Sequence, residues 1–190
     1  MYQIKHIDIP NDVQIVNHTN TVKQVNSRIL TNKKYKRAGV ILYSLKPTGE
    51  NVYIFGVDRK SNEITDFGGR VEPKDNTVAK AALRECSEET LRIIKLKNTD
   101  IRNDTIYFGY RMAFIFHYID WNFFKHLRKE FSQRVKKQPN SENTEIVYFS
   151  RQEVVDLTRG YQIKTRYMYP KIRRELFENF EEIDMKIFSM

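Results

Sequence analysis

The sequence predicts an α/β protein, a mixed β-sheet with helices on both sides. The first observation is the order of periods along the chain. Short apolar stretches at 38–45, 51–57 and 145–149 have strand character, while 75–94 and 121–138 repeat with a helical period. Strands, helix, strands, helix is the order that builds a sheet covered on both faces. The second is that 38–45 and 51–57 are apolar on both faces, as central strands of a covered sheet are. The third is size: 190 residues suffice for one full hydrophobic core with some elaboration and are short for two.

Taken in order, residues 1–32 are polar with scattered Val and Ile, consistent with a strand or two plus irregular structure. A basic cluster, Lys33, Lys34, Lys36 and Arg37, precedes strand 38–45. A turn marked by Pro47 and Gly49 leads to strand 51–57. Another strand ends in Asp66-Phe67-Gly68-Gly69-Arg70-Val71-Glu72, and helix 75–94 follows. Residues 92–97 and the aromatic run 105–119 are both strand-like. Helix 121–138 carries Phe124, Leu127, Phe131 and Val135 on one stripe. After strand 145–149, Ser150 is placed to cap a short helix through Leu157, with Glu153 three residues on. The tail from 162 to about 180 has the pattern of a basic amphipathic helix, interrupted or kinked near Pro170.

Composition narrows the class. Apolar residues at 40% and charged residues at 30% suit a globular chain rather than a disordered one. The longest apolar run, 112–116, is far below a membrane span, so no membrane partner is expected. Residues 1–10 lack the apolar segment of a signal peptide. One cysteine, Cys86, excludes an internal disulfide and suits a reducing compartment; with only four histidines it also argues against a structural zinc. The formal charge of +9 favours polyanions such as RNA, nucleotides or inositol phosphates, with plain solubility as the alternative. Oligomeric state is not set by any of this.

The chemistry concentrates in Arg84-Glu85-Cys86-Ser87-Glu88-Glu89. At about 100° per residue, Glu85, Glu88 and Glu89 share one helix face. Ala79, Ala82, Leu83, Cys86, Ile93 and Ile94 form the opposite, core-facing stripe. Carboxylates at i, i+3 and i+4 repel one another, so the row needs a partner. A hard divalent cation with oxygen ligands is the natural one. Arg84, four residues before Glu88, can orient the cluster. An ordinary solvated acidic face neutralised by Arg84 and Arg92 is the alternative. The adjacent glycines upstream tip the balance, because they allow close backbone approach to a ligand.

Together, the segment from Gly68 to Arg92 resembles the Nudix box, Gly-x5-Glu-x7-Arg-Glu-U-x-Glu-Glu-x-Gly-U with U aliphatic. Cys86 fills the U position inside the Arg-Glu core. The flanking strands extend the resemblance to about 36–157. Three departures stand out. The interval from Gly69 to Arg84 is one residue longer than the pattern, implying an insertion near Pro73. Asn76 then occupies the upstream Glu position, or Asp75 substitutes from one residue away. The closing Gly is Leu91, and the aliphatic after it is Arg92.

The resemblance implies a Nudix-like α/β/α sandwich over 36–160, with a helical insertion at 121–138. An N-terminal extension (1–35) and a C-terminal helical extension (161–190) flank it. It implies a pyrophosphohydrolase that cleaves a diphosphate linkage in a nucleoside-diphosphate-X substrate. Mg²⁺ or Mn²⁺ would be held by Glu85, Glu88, Glu89 and the Gly68 carbonyl, with Arg84 orienting them. A further carboxylate, as base or extra ligand, is expected from Glu142 or Glu145, with Glu142 preferred. Arg59 and Arg70 flank the glycines as phosphate clamps. Lys34 and Arg37 are candidates to extend substrate contact, and Phe67, Tyr107 or Tyr110 to stack a base.

Lys125, Lys129 and Lys136 lie on the flank of helix 121–138 next to Trp121. With Lys164, Arg166, Lys171, Arg173 and Arg174 they suggest a phosphate-tracking surface for RNA, against the plainer reading of a wet docking helix. Three functions follow: an RNA-directed enzyme such as an mRNA-decapping hydrolase releasing m7GDP; a hydrolase of a nucleotide sugar, dinucleoside polyphosphate, non-standard nucleotide or diphosphoinositol polyphosphate; or a non-catalytic RNA-binding Nudix domain. The intact carboxylates argue against the third. A cytoplasmic location is expected, the host cytoplasm if the chain is viral.

Overall fold

The computed structural model describes residues 3–8, 12–16, 22–26, 35–101 and 104–188. Its apolar stretches become the strands of one sheet. In chain order these are β1 (Gln3–Asp8), β2 (Asp12–Val16), β3 (Val22–Asn26), β4 (Arg37–Leu45), β5 (Asn51–Asp58), β6 (Ile64–Thr65), β7 (Phe67–Arg70), β8 (Thr105–Phe108), β9 (Met112–Tyr118) and β10 (Asn143–Ser150). The spatial order is β10-β5-β4-β9-β8-β1-β2-β3, with β6 added to β5 and β7 to β4. The β4–β9 pair is parallel and the others are antiparallel, so the sheet is mixed. Strand β4 divides its length between two partners: its second half pairs β5 and its first half pairs β7, with Gly39 opposite Gly68. That split brings the double glycine to the middle of the sheet.

The two-residue alternation of the central strands feeds two cores. Ala38, Val40 and Leu42 of β4 point to one side and Ile41 to the other; Ala113 and Ile115 of β9 oppose Phe114 and Phe116 in the same way. Helices α1 (Val78–Glu89) and α2 (Trp121–Lys137) cover the first side, supplying Ala82, Leu83, Cys86, Phe124, Leu127 and Phe131. Each buried aromatic or leucine on α2 is worth about 1.5–3 kcal/mol of transfer free energy. Helices α3 (Arg151–Thr158), α4 (Pro170–Phe177) and α5 (Phe180–Phe188) close the other side through Val154, Leu157, Ile172, Leu176, Phe180 and Ile183. The expected α/β sandwich is therefore present. No helix among the described residues is long and apolar enough to cross a membrane.

Local signals act where the sequence places them. Ser150 accepts from the Glu153 backbone N–H, and the Glu153 carboxylate accepts from the Ser150 N–H, closing the capping box of α3. Elsewhere the structure corrects the expectation. Residues 92–97 form no strand, because the chain leaves α1 through left-handed backbone at Leu91 (φ 53°) and Arg92 (φ 60°). The run 105–119 is two strands folded back at Gly109–Arg111, since both β8 and β9 are apolar on both faces and only the turn interrupts the pattern. Residues 162–169 are not helical. Proline fits the first helical turn, where its missing N–H costs nothing, and it biases the residue before it to extended backbone. Pro170 accordingly starts α4 rather than kinking a longer helix.

Candidate active site

Between β7 and α1 the chain makes a short 3-10 turn, Pro73–Asp75, which absorbs the extra residue of the interval. Asn76 follows with φ 59°, a conformation asparagine tolerates better than most residues. This turn delivers Asp75, not Asn76, to the helix: Arg84 Nε donates to Asp75 Oδ1 and Arg84 Nη2 to Asp75 Oδ2, each at 2.9 Å. Asp75 also accepts from the Glu72 N–H at 2.8 Å. Hydrogen bonding from Arg84 holds the buried Asp75 carboxyl below the ordinary aspartate range. The remaining reach of Arg84 goes to Glu85 Oε1 (2.8 Å), Glu88 Oε2 (3.0 Å) and the Arg70 carbonyl (3.0 Å). One guanidinium thus ties the loop, the β7 strand end and two of the three glutamates together.

The expected acidic face is not simply solvated. Glu88 is exposed, but Glu85 and Glu89 are buried. Glu85 lies against Gly69, where a Cβ would come within 2.4 Å of its carboxyl group, so this glycine is required for the approach. Glu89 Oε2 accepts from the Gly68 N–H at 3.0 Å and from Asn143 Nδ2 at 3.2 Å. Burial raises the pKa of Glu85 against the opposing pull of Arg84. Burial, reinforced by the neighbouring Asp66 charge, raises that of Glu89 well above the glutamate norm. Both carboxylates thus sit where added positive charge would be stabilising.

Glu85, Glu88, Glu89 and Glu142 line one cleft of about 430 Å³, closed at its other side by Leu91 and residues 138–141. Glu89 and Glu142 also line a second cavity of about 940 Å³, bounded by Gly68 and Gly69, Lys36, Arg37 and Arg70, the Tyr110–Met112 turn and α4. The donor set of carboxylate oxygens suits Mg²⁺ or Mn²⁺ rather than a soft metal. Among the described residues no three His, Cys, Asp or Glu side chains are gathered at ligand spacing. The hydrogen bonds above account for this: Glu85 and Glu88 turn to Arg84, and Glu89 to Gly68 and Asn143. The residue types fit a hard divalent ion, and holding one there would require those carboxylates to exchange partners.

The remaining sequence candidates separate. Arg70 is exposed at the larger cavity, and Arg37 lines it half-buried, held by Asp66 Oδ1 at 2.5 Å. Arg59 is exposed outside both cavities, and its Nε donates to the Ser141 carbonyl (2.7 Å) and its Nη2 to Ser141 Oγ (2.8 Å), pinning the Glu142 loop. Phe67 is fully buried in the first core, so it offers no face to a base. Tyr107 is likewise buried, its hydroxyl donating to the Glu175 carbonyl, whereas Tyr110 is 62% exposed. Glu145 is paired with Arg166 at 2.9 Å, leaving Glu142 as the exposed loop carboxylate at the cleft. Lys34 lies outside the described residues.

Sequence reasoning missed Asn143, which holds Glu89, and Asp66, which is buried and holds Arg37. A Cβ on Gly39 would fall 1.9 Å from Asp66 Oδ2, so Gly39 in an otherwise bulky strand was the available signal for a side chain crossing there.

The NUDIX domain family model matches residues 35–172. No curated protein matches. Among solved structures, the chain is similar to a C. elegans Ap4A hydrolase binary complex, with 13% identity over 80% of this chain and 98% of that one and a TM-score of 0.48. It is also similar to RenU, a Nudix hydrolase from M. smegmatis, with 11% identity over 92% of this chain and 96% of that one and a TM-score of 0.49. The family match spans well over half of the chain, and the chain belongs to the NUDIX family. Within it, the chain is a Nudix-type pyrophosphohydrolase acting on phosphoanhydride bonds. Members of the family generally use divalent metals and act on nucleotide-containing substrates.

Proposed function

We propose that this chain uses Mg²⁺ or Mn²⁺ to hydrolyse the diphosphate linkage of capped RNA, releasing m7GDP. The observation that carries the reading is the junction of two unlike cavities: Glu89 and Glu142 belong both to the carboxylate cleft and to the cavity lined by Lys36, Arg37, Arg70 and α4. A linkage held at that junction has metal-binding groups on one side and cations for neighbouring phosphates on the other. Glu85, Glu88, Glu89 and the Gly68 carbonyl would hold the metal, which supplies charge neutralisation at phosphate oxygens and Lewis acidity toward water. Arg84 orients Glu85 and Glu88. Asn143 and the Gly68 N–H hold Glu89 until it is recruited. Exposed Glu142 is the group with room to take a proton from an attacking water. Arg70 and Arg37 orient phosphate oxygens.

On this reading residues 36–160 carry the hydrolase, with 121–138 as a helical insertion and 1–35 and 161–190 as extensions. The exposed Lys125, Lys129 and Lys136 of α2 would offer further cations to the RNA body. The enzyme would act in the cytoplasm, where capped RNA is met, or the host cytoplasm if the chain is viral. A second reading, a small substrate such as a nucleotide sugar, dinucleoside polyphosphate, non-standard nucleotide or diphosphoinositol polyphosphate, is favoured by one feature. The cations converge on a cavity whose volume of about 940 Å³ suits a compact ligand. A non-catalytic RNA-binding role leaves the carboxylate cleft without a purpose.

The test is product analysis with Mg²⁺ or Mn²⁺ on labelled capped RNA alongside a nucleotide panel. Release of m7GDP is expected; turnover confined to free nucleotides or inositol phosphates replaces this reading with the second.

A further inference from the structure

The larger cavity has a wall that hydrolysis at the carboxylates does not by itself require. It comes from α4 and the turn between β8 and β9, and it presents Lys171, Arg174, Arg111 and the exposed Tyr110. Lys36 and Arg70 line the same cavity, so five cations share one concavity with Asp58, Glu89, Glu142 and Glu175, and among the described residues none of the five has a carboxylate partner within ion-pair distance. Unpaired like charges gathered in a concave site repel one another and raise the local concentration of anions.

The wall is also held in place. Glu175, the carboxylate nearest to Lys171 and Arg174 in sequence, is buried, and its Oε2 accepts from the Tyr110 N–H at 2.9 Å. The Glu175 carbonyl accepts from the Tyr107 hydroxyl (3.2 Å) and from Asn179 Nδ2 (3.1 Å). A Cβ on Gly109 would fall 1.9 Å from Glu175 Oε2, so the turn can seat this carboxylate only with glycine there. The Lys36 N–H donates to the Arg111 carbonyl at 2.9 Å, joining the turn to β4. The Arg111 guanidinium lies 5.2 Å from the Tyr110 ring centroid, a cation–π contact that leaves its charge uncompensated. Glu175 thus builds the wall through the Tyr110 N–H and is in ion-pair contact with none of its cations.

We infer that α4 and the Gly109–Arg111 turn form a second anion subsite, which binds a phosphate on the X side of the substrate, away from the linkage that is cut. The inference rests on the proposed reading that the linkage is cut at the carboxylate cleft. The phosphate would be a phosphodiester of RNA or a phosphate of a compact polyphosphate. Lys171 and Arg174 are specificity residues here, because they favour substrates whose X group is phosphorylated over those whose X group is neutral.

Two measurements on the full chain test this. In metal-free buffer, inorganic tripolyphosphate should bind the wild type in a calorimetric titration, and Lys171→Ala combined with Arg174→Ala should weaken that binding at least tenfold. The charge-conserving Lys171→Arg combined with Arg174→Lys should restore it to within a few-fold. No wild-type binding, or equal affinity in the alanine variant, overturns the subsite. In turnover, the ratio of kcat/KM for phosphorylated X (short capped RNA, a dinucleoside polyphosphate) to that for neutral X (a nucleotide sugar) should fall at least tenfold in the alanine variant. An equal loss for both classes overturns it. A larger loss for capped RNA than for the dinucleoside polyphosphate identifies the phosphodiester as the bound group; the converse identifies the compact polyphosphate. If the wild type cleaves none of these substrates the proposed function fails, and the tripolyphosphate titration still decides the subsite.

Discussion

The carboxylate cleft and the basic wall of the larger cavity lie side by side and are built in opposite ways. In the cleft, like charges come with an internal counterion: Arg84 reaches Asp75, Glu85 and Glu88, and backbone and amide donors reach Glu89. In the wall, Lys36, Arg70, Arg111, Lys171 and Arg174 have no acidic partner among the described residues, and the nearby Glu175 is engaged by a backbone N–H. Like-charged clusters persist in a fold when something other than charge holds them. The cleft is held by hydrogen bonds from Arg84, the Gly68 N–H and Asn143, the wall by one buried carboxylate, Glu175, seated on the Tyr110 N–H.

Four substitutions or conditions break or sharpen that contrast. The largest effect is expected from Glu89→Gln. It should lower turnover by about three orders of magnitude or more, the scale of losing an electrostatic group at a reacting phosphate. Because Glu89 is buried with its pKa raised by desolvation, the neutral amide should leave the thermal transition unchanged or slightly higher. Retained hydrolysis in this variant would remove Glu89 from the machinery. Next, Arg84→Ala leaves Asp75 buried without its partner and should cost about 2–3 kcal/mol in a denaturant titration. A loss below about 0.5 kcal/mol would mean that the guanidinium does not organise the cleft.

The third is a pH effect with a defined sign. Arg84 depresses the folded pKa of Asp75, so the pair contributes stability above the unfolded aspartate value of about 3.9. That contribution is lost as pH falls through the lower folded value. The stability gap between wild type and Asp75→Asn should therefore be widest near neutrality and narrow steadily below about pH 4. A gap independent of pH would sink the ion-pair account. The smallest effect concerns the exit of α1. The Arg92 N–H bonds the Ser87 carbonyl and the Leu91 N–H bonds that of Glu88, a Schellman closure whose left-handed residues are Leu and Arg. Arg92 is exposed, so Arg92→Gly should stabilise by about 0.5–1 kcal/mol, seen as a small rise in the melting temperature.

The same exit shows how far the sequence was legible. The family pattern closes with glycine where this chain has Leu91, and the backbone here is left-handed, the conformation glycine adopts most readily. Leu91 is held in that conformation by Arg134 Nη1, which donates to its carbonyl from α2, and by packing on the first core. The box helix, its apolar back and the Arg84–Glu88 contact were readable because they depend on spacing within one helix. Whether Asp75 or Asn76 serves Arg84 was not readable, since a 3-10 turn set by Pro73 decides it. Phe67 points into the core instead of the cavity because a residue beside a glycine segment can face either side of the sheet, and spacing alone does not say which.

By itself, then, the sequence determined the α/β class, the acidic face of α1 and the presence of an excess of cations, because periodicity, spacing and charge are local quantities. Only the tertiary structure decided which cations meet which carboxylates. It placed Glu142 and Asn143 beside Glu89, buried Asp66 under Arg37, and brought α4 against the Gly109 turn across more than sixty residues of chain. These contacts depend on strand order and helix packing, which join residues far apart in the chain and leave no periodic trace in it.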